Sequence, residues 1–141
     1  MKVAIVGFER EGRSALPYWL EQGAELTVCD QDLEKDVPPG ITKRLGPDYL
    51  KDLDRFDVIV RTAGMHPKVI LAENPDVKDK ITTNINEFLR VSPTKNIIGV
   101  TGTKGKSTTS TLFAKMLEAA GEQEVLGGNI GIPALELLPN V

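Results

Sequence analysis

Cysteine and histidine occur once each, as Cys29 and His66, in a sequence of 141 residues. A single thiol excludes an intramolecular disulfide and any metal site built from several thiolates, and it fits a reducing compartment. Positive charge is also scarce: 17 basic side chains against 20 acidic ones leave a net charge of −3, so no global field is available to hold nucleic acid or an anionic membrane. No apolar run approaches the ~18 residues of a membrane-spanning helix, and the opening "MKVAIVG" is too short for the core of a secretion signal. The expectation is a soluble, cytoplasmic, monomeric protein without a nucleic-acid or membrane partner. His66, followed by Pro67, reads as a solvated loop residue. Cys29 has no histidine near it in sequence and reads as core rather than nucleophile.

What is present is an alternation of short apolar runs and helical patterns, with 40% apolar residues overall. "KVAIV" (2–6) is β-branched, continuous and closed by Gly7, as expected of a strand buried on both faces of a parallel sheet. "GRSALPYWLEQG" (12–23) carries Ala15, Leu16, Trp19 and Leu20 at helical spacing and ends at Gly23; Tyr18 and Trp19 read as packing against the sheet. "AELTVCD" (24–30) and "DVIVRTAG" (57–64) read as further strands. The proline- and glycine-rich stretch between them leaves room only for a short helix. Two short helices (68–74 and 86–92) flank a small strand (80–84). This alternation predicts an α/β fold with a Rossmann-like parallel sheet over residues 1–92. "SPTKN" (92–96) breaks the pattern. "NIIGV" (96–100) then reads as a new strand leading into a glycine-lysine loop, a helix over 106–120 and a last helix around 132–138. Residues 93–141 are therefore expected to begin a second, incomplete P-loop domain.

Two turns carry the chemistry. "TGTKGKST" (101–108) lies between a predicted strand and a predicted helix, where backbone N–H groups converge on an anion. Gly102 and Gly105 permit close approach to phosphate, Lys106 can neutralise the β and γ phosphates, and the Ser107 hydroxyl can ligate Mg²⁺. Thr103, Lys104 and Thr108 complete the candidate ATP loop. Val100 stands where the strict motif has its first glycine, so the loop is a shorter variant, and the alternative is a glycine-rich turn with two solvated lysines. In the other turn, "GFEREG" (7–12), Asp30 closes the second strand near the ~20-residue spacing of a ribose-binding acid. Glu9 replaces the middle glycine of a dinucleotide fingerprint, which argues against an ordinary NAD site. Arg10 and Arg13 remain as cations for a diphosphate; the alternative is a purely structural turn.

In this order the two turns resemble the Mur ligases, ATP-dependent amino-acid ligases of peptidoglycan precursor synthesis. "VRTAGM" (60–65) and "GGNIGIP" (127–133) are similar to segments of the D-glutamate-adding branch. The resemblance covers essentially the whole chain and implies an enzyme that uses ATP and Mg²⁺ to join D-glutamate to UDP-N-acetylmuramoyl-L-alanine. It implies that the substrate carboxylate takes the γ-phosphate and that the amine then displaces phosphate. By matched position it implies substrate contacts at Gly7, Arg10, Glu11, Gln31, Asp32 and Gly64. Asn129 would lie near the reacting end, and Lys106 would serve catalysis. Residues 94–141 are too few for a complete ATPase sheet, and the acids after Ser107 (Glu118, Glu122, Glu124, Glu136) do not end a strand as a metal ligand should. The chain therefore reads as the N-terminal portion of a longer ligase, inactive alone. The alternatives are a noncatalytic nucleotide-sugar-binding module and an NAD-binding Rossmann domain.

Overall fold

The structure, a computed structural model, describes residues 1–128 and 131–141. Its centre is β1 (Lys2–Val6), whose Val3, Ala4, Ile5 and Val6 are fully buried. On one side β1 pairs with β2 (Glu25–Asp30), which pairs with β3 (Thr42–Leu45); on the other it pairs with β4 (Val58–Arg61), which pairs with β5 (Ile81–Thr82). All pairings are parallel and the order is β3-β2-β1-β4-β5, a doubly wound sheet of the expected class.

Alternate residues of β1 supply two cores, as the strand period of two requires. Val3 and Ile5 join Val28 and Val60 beneath α1 (Arg10–Glu21) and α3 (Asn84–Val91), represented by Ala15, Trp19 and Phe88. Ala4 and Val6 join Cys29 and Ile59 against Leu53, Phe56, Val77 and Ile70, the last from α2 (Pro67–Glu73). Each fully buried aliphatic or aromatic side chain contributes about 1.5–3 kcal/mol, so the central strand is the most stabilised part of the sheet. Tyr18 and Trp19 pack edge to face, and the Tyr18 hydroxyl donates to Glu87 Oε1 at 2.6 Å.

The structure departs from the sequence expectations at several edges. β3 arises in the stretch read as connection with a short helix: "TKRL" is polar and half exposed, the pattern of an edge strand, and offers no apolar signal. In place of the helix stands a 3₁₀ turn, Leu53–Arg55. The strand expected over 80–84 is two residues long, because the Thr83 hydroxyl accepts from Asn86 N–H and caps α3. "NIIGV" forms no strand: residues 94–101 have no regular secondary structure, and Ile98 is exposed. α4 (Lys106–Ala119) matches the helix expected after the loop but buries none of its residues. The last helix is a 3₁₀ segment, Ala134–Asn140, whose Ala134, Leu135 and Leu137 enter the core under α1 and α3.

Cys29 is fully buried in β2, and burial pushes its thiol up to about 11. The native state therefore retains the proton that the unfolded chain releases, and stability falls as pH rises from the ordinary value near 9.0 through about 11. In urea titrations, Cys29→Ala is expected to flatten that decline at its lower end. A thiol reagent should label Cys29 only as the chain unfolds; rapid stoichiometric labelling of the folded protein would contradict the placement.

Candidate functional site

In an open parallel sheet the connections leave adjacent strands in opposite directions at the point where strand order reverses, and a crevice opens at the carboxyl ends there. In this sheet that point lies between β1 and β4, lined by the turns after Val6 and Arg61. The first turn is set by two glycines. Gly7 has φ +87°, and a Cβ there would meet Thr62 Oγ1 at 2.8 Å. A Cβ on Gly12 would lie 2.2 Å from the Gly7 carbonyl oxygen, so only glycine lets α1 start this close to the strand.

Asp30 holds this turn in place. Its Oδ2 accepts the Phe8 N–H at 2.7 Å and its Oδ1 accepts the Asp32 N–H at 3.0 Å. The acid at the ribose-binding spacing is thus occupied by backbone amides and is buried. On the opposite wall Glu11 Oε2 accepts the Ala63 N–H at 2.7 Å, tying α1 to the turn after β4. The Asn84 amide donates to Glu11 O at 2.7 Å and to Ser14 Oγ at 3.0 Å. These bonds fix three strand-end turns relative to one another before any ligand arrives.

The candidate substrate residues Gly7, Arg10, Glu11, Gln31, Asp32 and Gly64 all lie at this edge, after β1, β2 and β4. Gln31 and Gly64 are exposed. Arg10 donates from Nη2 to the Gly131 carbonyl, and Asp32 Oδ1 accepts the Glu34 N–H at 3.0 Å. Asn129 lies outside the described residues. Sequence reasoning missed Lys35, whose ammonium bonds Glu9 Oε1 and stands 3.6 Å from Asp32 Oδ2 and 3.8 Å from Asp30 Oδ2. Three carboxylates keep that ammonium charged, the hydrogen bond to Glu9 foremost, and raise its pKa. Nothing in the charged connection "QDLEKD" distinguishes Lys35 from a solvated lysine. Arg61 was also missed; it donates to Thr62 O at 3.3 Å and Met65 O at 2.8 Å, bracing the turn after β4. His66 Nδ1 accepts the Lys68 N–H at 3.2 Å and caps α2.

The second loop is organised more simply. Gly102 and Gly105 have φ +151° and +77°, and Gly105 leads directly into α4. The Lys106 ammonium turns back to the Gly102 carbonyl at 2.6 Å. Gly102, Thr103, Lys104, Gly105, Ser107 and Thr108 are exposed. Among the described residues no hydrogen bond or ion pair joins this loop to the β1, β2 and β4 turns. No group of three or more His, Cys, Asp or Glu side chains able to hold a metal ion occurs among them either. No described helix is long and apolar enough to cross a membrane.

No protein-family model matches the chain. Curated relatives do. A protein of Ruminiclostridium cellulolyticum named "UDP-N-acetylmuramoylalanine--D-glutamate ligase" is 34% identical over 149 residues, covering 99% of this chain and 32% of that protein. A Clostridium botulinum protein of the same name is 34% identical over 94% of the chain and 31% of its own length. One from Acetivibrio thermocellus is 33% identical over 99% and 32%. Over nearly its whole length the chain is thus a homologue of part of these ligases, and it spans about a third of the length of the relatives it matches. The solved structure "Shewanella denitrificans Kef CTD in AMP bound form" aligns with TM-score 0.50 over 87% of this chain and 84% of that one. At 15% identity that likeness speaks to fold alone.

Removing the Asp30 carboxylate leaves the buried Phe8 N–H unpaired, at a cost of about 1–3 kcal/mol, with a second amide and Lys35 affected besides. Asp30→Ala is expected to lower the urea unfolding free energy by about 2–4 kcal/mol. Gly12→Ala should cost about 3 kcal/mol, at the upper end for over-packing, because the atom it would meet is the Gly7 backbone carbonyl, which cannot swing aside. Unfolding midpoints at the wild-type value for either variant would contradict this reading of the turn.

Proposed function

We propose that the chain is the nucleotide-sugar-binding portion, with the beginning of the ATP-binding portion, of a ligase that uses ATP to join D-glutamate to UDP-N-acetylmuramoyl-L-alanine. The observation that carries this reading is the match to ligases of that name across 99% of the chain, which takes in both glycine turns together. In the proposal residues 1–92 hold the substrate and residues 93–141 begin the ATPase domain. The setting is the cytoplasm, in peptidoglycan precursor synthesis, with roles in cell shape and division, and the protein acts as a monomer.

The crevice suits the uridine diphosphate end of such a substrate. The α1 N-terminus with its partial positive charge faces it, and its walls are fixed in advance by Asp30 and Glu11. Gly7, Arg10, Glu11, Gln31, Asp32 and Gly64 are the proposed contacts, with Asn129 toward the reacting end. The second loop suits phosphate: two glycines with positive φ precede a helix start, and an ammonium group lies across the loop. Lys106 would exchange the Gly102 carbonyl for phosphate oxygens, where it would spread the charge of a transferring group. Thr103, Lys104 and Thr108 would supply further donors. ATP, when bound, activates the substrate carboxylate for attack by the amine. For Mg²⁺ the described residues offer the Ser107 hydroxyl and no assembled carboxylate set, so they do not by themselves fit a metal site.

Calorimetric titration tests the reading. UDP-N-acetylmuramoyl-L-alanine should bind saturably and NAD should not, with weak Mg-ATP binding that Lys106→Ala removes. The chain alone should release no ADP in the presence of both substrates. NAD binding in place of the UDP-sugar would overturn the assignment, and substrate-dependent ADP release would overturn the claim of inactivity.

A further inference from the structure

Among the described residues at this edge, Lys35 is a cation within 4 Å of three carboxylates, those of Glu9, Asp30 and Asp32. Its side chain is only 11% exposed, whereas that of Glu9, its closest partner, is 79% exposed. The three partners are not equivalent. Asp30 is held by the Phe8 and Asp32 amides, and Asp32 by the Glu34 amide. The Glu9 carboxylate makes no other hydrogen bond among the described residues. It can leave for water at little cost, since an ion pair with one partner in solvent is weak. The ammonium stays drawn to Asp30 and Asp32, at 3.8 and 3.6 Å.

Glu9 also occupies the position of the phosphate turn where a carboxylate most directly opposes an anionic ligand. One residue thus stands at that position of the turn and partners the nearby cation that a phosphate would use. We infer that Lys35 is a ligand-reading cation of this site and that Glu9 is its internal stand-in, displaced from the ammonium when a phosphate of a nucleoside diphosphate enters. The inference rests on the proposed nucleotide-sugar site and adds a specificity-determining pair to it. The displaced carboxylate rejoins solvent, and the incoming phosphate completes the set around Lys35.

The pair makes opposite contributions to binding, which a purely structural clasp would not. Titrations with UDP and with uridine, which lacks the phosphates, should give tighter UDP binding for Glu9→Gln by several fold and weaker UDP binding for Lys35→Ala by about tenfold or more. Uridine affinity should not change in either variant, and Lys35→Arg should restore part of the UDP affinity. Should Lys35→Ala fail to fold, Glu9→Gln alone decides the matter. Wild-type protein that binds UDP while Glu9→Gln leaves its affinity unchanged or lower would overturn the inference and leave the proposed function standing. Wild-type protein that binds neither UDP nor the UDP-sugar would overturn both.

Discussion

The crevice depends on the carboxylate of Asp30. Parallel strands leave their carboxyl ends side by side, but nothing in the sheet ladder fixes the turns that follow them. Asp30 does so by accepting one amide from the turn after β1 and one from its own loop. Once Phe8 is held, the chain can enter α1 only along a path that brings Gly12 against the Gly7 carbonyl, where a side chain would not fit. Glu11 is then in position to reach Ala63, and the third turn is fixed as well. The carboxylate that the spacing nominated for a ribose is instead the element that shapes the site.

The two glycine turns differ in how much of the chain packs around them. The first rests on a sheet with both faces covered, and Asp30 and Glu11 tie it to its neighbours. The second ends in a helix with Leu112, Phe113 and Met116 exposed, and the segment before it, with Ile97 and Ile98 exposed, forms no strand. An amphipathic helix ordinarily buries its apolar side chains against a neighbouring layer, whereas α4 buries none of its residues. Lys106 meanwhile satisfies itself locally on Gly102.

Much of the fold was legible because burial leaves a strong pattern. β1, β2 and β4 are apolar runs closed by turns, and α1 and α4 began within two residues of their expected starts. β3 was not legible, since an edge strand needs no apolar face, and "NIIGV" misled because an apolar run becomes a strand only when a neighbour pairs with it. For the site, the sequence located the turns but not their wiring. Glu9 stood out as an anomaly, yet its partner Lys35 is distant in sequence and unmarked by any pattern. The occupancy of Asp30 by backbone amides depends on geometry that spacing does not encode.

The central claim is that the carboxyl edge of β1, β2 and β4 receives a nucleotide diphosphate. Amide hydrogen exchange of the chain with and without saturating UDP-N-acetylmuramoyl-L-alanine tests it most directly. Slowed exchange is expected in residues 7–13, 31–36 and 62–66, with residues 102–108 unaffected. Protection confined to residues 102–108, or none at the three strand-end turns, would contradict it.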